Sequence, residues 1–88
     1  MKKILKFYSK TCGPCKVMSK KLEELQGVEI QDIDIMEEEN GSLVEKWKVR
    51  TIPTIVVLNE DNTFYTEFKG IIPIDLIQAA INGQPTVS

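Results

Sequence analysis

The sequence predicts an α/β domain: a four-stranded mixed sheet with helices on both faces, its elements ordered βαβαββα. Three observations predict it. A segment with helical apolar spacing joins two short β-prone runs, residues 4–8 and 28–35, and a strand–helix–strand unit of this kind is a right-handed crossover between parallel strands. Thr54–Leu58 is continuously β-branched or apolar, the mark of a strand covered on both faces. Beyond a turn at residues 59–62, Phe64, Thr66 and Phe68 alternate with Tyr65 and Glu67, which adds a half-exposed antiparallel partner.

Taken in order, the first strand is an apolar run broken only by Lys6. From Gly13 the period changes: Cys15, Met18, Leu22 and Leu25 recur at helical spacing and mark one apolar face. Pro14 suits the first turn, where a missing N–H costs nothing, and Gly27 is placed to end the helix. The second strand is expected to bury Val28, Ile30, Ile33 and Ile35, with a bulge near Asp32. Glu37, Glu38 and Glu39, followed by Asn40 and Gly41, read as a solvated loop. Ser42 and Glu45 then fit a capping box that opens a second helix through Trp47. With Leu43 one turn away, Trp47 reads as a core residue, and Tyr65 as an exposed strand residue. Pro73 opens a last helix whose apolar side includes Ile74, Ile77 and Ile81, with Gly83 beyond its end.

At 88 residues and 10.0 kDa the chain reads as one small domain, 1–88, of a size that buries about 60% of its unfolded surface. Its 42% hydrophobic and 27% charged residues are ordinary for a soluble globular protein. No h-region of a signal peptide forms, because Lys2, Lys3 and Lys6 interrupt the N-terminal apolar residues. No stretch approaches the ~20 apolar residues of a membrane span. The expectation is a soluble, cytoplasmic monomer without a membrane partner. A net charge of −2 and a pI near 5.1 offer no nucleic-acid footprint. The lysines are nonetheless concentrated: Lys2, Lys3, Lys6, Lys10, Lys16, Lys20 and Lys21 all precede the first acid, Glu23.

Within that basic segment lie the only two cysteines, in Cys12-Gly13-Pro14-Cys15. Residues three apart at a helix start bring their Cα atoms into the roughly 4.4–6.8 Å range that a disulfide needs. Unpaired N–H groups and the dipole favour a thiolate at the helix start. Cys12 is therefore expected to be the exposed nucleophile, and Cys15, one turn in and on the apolar face, the buried resolving thiol. Two other readings remain. A structural staple closing so small a ring would contribute roughly 2 kcal/mol at most. Half a zinc or iron–sulfur site would need a second chain, since the sequence has no histidine and no third cysteine. No cofactor or metal is expected.

Strand, Cys12-Gly13-Pro14-Cys15, helix, strand, helix and then Thr51-Ile52-Pro53-Thr54 is an order that resembles the thioredoxin family, from residue 3 to residue 82. The resemblance implies a thioredoxin-like fold, protein disulfide reductase activity through a Cys12–Cys15 redox-active disulfide, and a role in electron transport and cell redox homeostasis. It also implies a cis Ile52–Pro53 bond packed against the cysteines, Ile52 backbone groups that hold an extended target segment, and Gly70 beside the pair. Expected partners are disulfide-containing target proteins and a reductase, either an NADPH-dependent thioredoxin reductase or the glutathione system.

Four departures from the family stand out. Its first strand and helix are absent. Thr11 stands where a tryptophan is usual. Lys6 falls where the family has a buried acid, which makes it an active-site support of altered character: a charge favouring thiolate, a neutral proton acceptor, or a lysine that snorkels to solvent. Tyr8-Ser9-Lys10 has a glutaredoxin flavour, so glutathione-dependent exchange is an alternative, although residues 70–73 lack the Gly-Gly pair expected of it. A non-catalytic adaptor is the other alternative.

Overall fold

A computed structural model describes residues 1–83 of the chain; positions 84–88 of the expected 1–88 domain lie outside the described residues. Four strands, β1 (Lys2–Tyr8), β2 (Val28–Asp34), β3 (Thr54–Leu58) and β4 (Phe64–Lys69), form one sheet in the order β2-β1-β3-β4. β1 runs parallel to β2 and antiparallel to β3, and β4 is antiparallel to β3. The mixed sheet and its strand directions are those that the crossover and the hairpin predict. No helix among the described residues is long and apolar enough to cross a membrane.

Helices α1 (Gly13–Leu22) and α3 (Ile74–Ile81) cover one face of the sheet. There Met18, Leu22, Ile77 and Ile81 pack with Ile4, Ile55 and Val57. The short helix α2 (Gly41–Lys46) covers the other, where Leu43, Val44 and Trp47 pack against Leu5, Phe7, Ile33, Val56 and Leu58. Alternate residues of β1 and β3 thus feed two separate apolar clusters, and every residue of β3 is buried. This is why a continuous apolar run, rather than an alternating one, was the right signature for that strand.

Five local expectations change. The pairing of β2 with β1 is continuous from Lys2 opposite Val28 to Tyr8 opposite Asp34, with no bulge. The shift in its apolar spacing arises instead because Val28 serves the α1 side while Ile33 and Ile35 serve the α2 side. Ile30 is 37% exposed, since β2 is an edge strand and α1 packs over the centre of the sheet. Helix α1 ends at Leu22, before Gly27. Short i→i+3 turns follow at Glu23, Glu24 and Leu25, and Gly27, at φ +72°, turns the chain into β2.

The capping box is absent. A 3₁₀ turn (Glu38–Asn40) leads straight into α2, and Asn40 holds the N-cap position without a side-chain cap. Its side-chain amide donates instead to the Asp34 carbonyl at 2.9 Å, and Ser42 is exposed inside the helix. The last change is on β4. The register with β3 shifts between Val57 and Leu58, so that Leu58 opposes Phe64 while Val57 opposes Thr66. The extra residue is Tyr65, and a bulge of this kind re-aims side chains. Tyr65 joins Phe68 against the α1 and α3 cluster, whereas Phe64 turns to the opposite face and stacks on Trp47 with ring centroids 6.2 Å apart.

Candidate active site

The C-terminal ends of β1, β2 and β4 and the start of β3 lie at one end of the sheet, as the strand directions require. α1 starts there. Cys12 is its N-cap, with extended backbone angles (φ −85°, ψ 111°), and its Sγ accepts the Cys15 N–H at 3.1 Å. The sulfur therefore occupies the place a Ser or Asp oxygen takes in an ordinary cap, where it meets an unpaired helix donor. Pro14 spends no N–H in this first turn. Gly13 and Pro14 are both exposed, as is Thr11, whose hydroxyl is 3.5 Å from Ser9 Oγ.

Cys12 and Cys15 are disulfide-bonded with their Cα atoms 5.2 Å apart. The two differ sharply in access: Cys12 is partly exposed, while Cys15 is 2% exposed. Helical periodicity produces this difference, because Cys15 shares its face with the buried Met18 and Leu22.

The loop into β3 supplies a second wall. The Ile52–Pro53 bond is cis, the geometry that the resemblance implies. Pro53 is buried, and the half-buried Ile52 packs on the α2-side cluster. The Thr54 hydroxyl donates to the Thr51 carbonyl at 2.7 Å and closes the loop. Gly70, just past β4, has φ +82°, a conformation natural to glycine. Its N–H donates to the Pro53 carbonyl at 2.9 Å. A Cβ on Gly70 would meet nothing within 4 Å, so backbone conformation rather than crowding explains a glycine here.

Lys6 is buried on the α1 side of β1, with 8% of its surface exposed. Its ammonium sits 3.0 Å from Asp32 Oδ1 and donates to Ser19 Oγ at 2.6 Å. It does not snorkel to solvent but lies between a carboxylate of the adjacent strand and a hydroxyl of α1. Asp32 and Ser19 are the residues that sequence reasoning missed. Ser19 is four positions after Cys15, on the same helix face, and could have been found by periodicity. Asp32 faces Lys6 only because the two are register partners in adjacent strands.

A bonded cysteine pair at the N-terminus of a helix, on a four-stranded mixed sheet and at the same end as a cis-proline loop, defines a class: small α/β domains built around a Cys-X-X-Cys pair. Comparison with known proteins agrees and is more specific. The family model described as Thioredoxin matches residues 1–83. Thioredoxin of Bacillus subtilis (strain 168) is 33% identical over 79 residues, covering 86% of this chain and 75% of that protein. Thioredoxin of Staphylococcus epidermidis is 38% identical over 61 residues, which is 66% of this chain and 59% of the relative. The match thus spans about three-fifths of that staphylococcal protein. Among solved structures, the short form of thioredoxin F from spinach chloroplast superposes with a TM-score of 0.77 at 30% identity, covering 93% of this chain and 74% of the other. The chain belongs to the thioredoxin family.

Proposed function

We propose that this chain is a protein disulfide reductase, acting as a single domain over 1–88. The carrying observation is the unequal access of two sulfurs that are already within bonding reach: Cys12 partly exposed at the start of α1, Cys15 2% exposed behind it. In the reduced protein, Cys12 thiolate attacks one sulfur of a target disulfide. A mixed disulfide forms and the other target sulfur leaves as a thiolate. Cys15, as its thiolate, then attacks Cys12 Sγ, which forms the Cys12–Cys15 bond and releases the second target thiolate. Two electrons pass to the target, which takes up two protons, and an external reductant restores the dithiol.

The remaining site residues take supporting roles in this reading. Gly13 and Pro14 shape the first turn between the cysteines. Ile52 backbone groups and Gly70 hold an extended target segment, with Pro53 as the wall behind it and Thr11 as the contact in front. Lys6, paired with Asp32, supports α1 from below through Ser19 and adds a fixed charge near the pair. Targets are proteins with accessible disulfides. The donor is a reductase, either an NADPH-dependent flavoprotein or the glutathione system, and the protein carries electrons for redox homeostasis in the cytoplasm as a monomer without a cofactor of its own.

Reduction of insulin with dithiothreitol as donor tests the reading. Turnover by the intact protein and its loss in Cys12→Ser are expected; an intact protein without turnover would refute it. Comparing NADPH with thioredoxin reductase against glutathione then identifies the donor.

A further inference from the structure

Residues 70–72, just past β4 and at the end of the sheet where α1 starts, are tied down at both ends. The Gly70 N–H donates to the Pro53 carbonyl at 2.9 Å. The Ile72 N–H points at Met18 Sδ, 3.4 Å away. Between these anchors Ile71 is 51% exposed, while the Ile72 side chain packs on the cluster that contains Met18. Met18 is fully buried, one turn beyond Cys15 on the same face of α1. A thioether is a weak acceptor, yet it is the polar atom on the cysteine helix that this N–H meets. Without the sulfur, a backbone donor against an apolar cluster would lose its partner.

We propose that Met18 is a positioning residue for target binding. Its sulfur holds residues 70–72 at a set distance from the helix that carries both cysteines. The width of the target-binding gap between Cys12 and Gly70 then depends on one N–H···S contact as well as on the Pro53 carbonyl. The proposal rests on the reading that a target segment lies between Ile52 and Gly70. It separates two properties of Met18 that normally go together: volume, which the cluster needs, and an acceptor, which the segment needs.

Met18→Leu keeps volume and removes the acceptor, and exchanges of this kind are well tolerated in cores. Amide hydrogen exchange and steady-state kinetics are measured on the full chain with two oxidants, a disulfide-bridged peptide and the small disulfide dithiobis(nitrobenzoate). The Ile72 amide of the variant is expected to exchange about tenfold faster, with Ile55 and Val57 unmoved. KM for the peptide should rise about three- to tenfold, an effect of the size that one weak hydrogen bond supplies, with kcat and the rate toward the small disulfide unchanged. Unchanged Ile72 exchange, an unchanged KM, or an equal loss toward both disulfides would each overturn the proposal. Norleucine at position 18, which replaces only sulfur by methylene, repeats the test if leucine's branch disturbs α1. An intact protein that reduces neither disulfide would sink the reductase reading, while the exchange measurement still decides whether the sulfur fixes the segment.

Discussion

Lys6 offers the sharpest test of the packing beneath α1, because its stem and its charge make separable contributions. The Lys6 side chain is 10% exposed and that of Asp32 57% exposed, so the pair is half in water. An ion pair of this kind contributes about 0.2–1 kcal/mol. The bond to Ser19 adds about 1 kcal/mol, and part of both is offset by the cost of burying the ammonium. Lys6→Met keeps the stem and deletes the charge, so it should cost roughly 1 kcal/mol. Lys6→Ala also removes three buried methylenes at about 0.8 kcal/mol each, for a total of roughly 3 kcal/mol.

Urea denaturation of the reduced proteins measures both without interference from the disulfide. Equal losses in the two variants would refute the reasoning: both near 1 kcal/mol would mean that the stem is not buried, and both near 3 kcal/mol that charge dominates. Alkylation of Cys12 against pH reads the charge separately. Lys6→Met leaves Asp32 unneutralised and should move thiolate formation to higher pH, whereas Asp32→Asn leaves Lys6 unneutralised and should move it to lower pH. Shifts of the same sign in both variants would remove Lys6 from the site's electrostatics.

Cys15→Ser should trap a mixed disulfide between Cys12 and a target, visible by mass spectrometry, since the resolving thiol is gone; prompt release of both target thiols would contradict the assignment. Gly70→Ala places a side chain at φ +82° and should cost about 1–2 kcal/mol of backbone strain in denaturant unfolding, with no steric clash to add to it. At the hairpin turn, Asp61 Oδ1 accepts from both the N–H and the hydroxyl of Thr63, at 3.1 and 2.6 Å, and the hydroxyl, then the N–H, holds its carboxyl below the ordinary value. A lowered folded-state pKa means a stabilisation that is present above the unfolded-state value and lost as pH falls through the folded-state one. Asp61→Ala should therefore lower the melting temperature slightly at pH 7, and this difference should vanish in acid.

What could be read from the sequence was whatever depends on neighbours along the chain. The cap position of Cys12 and the burial of Cys15 follow from helical spacing, and Thr54–Leu58 carries its two-sided burial in its own composition. What could not be read depends on register and on position within the sheet. Ile30 looks like a core residue in one dimension and is exposed because β2 is at an edge. Tyr65 looks like an exposed strand residue and is turned inward by a one-residue bulge. Ser42 and Glu45 match a capping box in sequence, but the preceding 3₁₀ turn starts the helix two residues earlier, with Asn40 rather than Ser42 at the N-cap.

Lys6 combines both kinds of information. A lysine within an apolar strand has two ways to be accommodated, reaching solvent or finding a partner, and its own sequence neighbourhood cannot choose between them. The parallel register chooses. Lys6 opposite Asp32 puts a carboxylate at the sheet edge where one partner is in water and one is under α1, so the charge is satisfied without being fully buried. The family's buried acid is thus not simply lost at position 6. A carboxylate is present on the adjacent strand, and the residue under the helix is its cation, which makes the sign of the charge nearest Ser19 positive. The opposed alkylation shifts expected of Lys6→Met and Asp32→Asn follow from that positive sign.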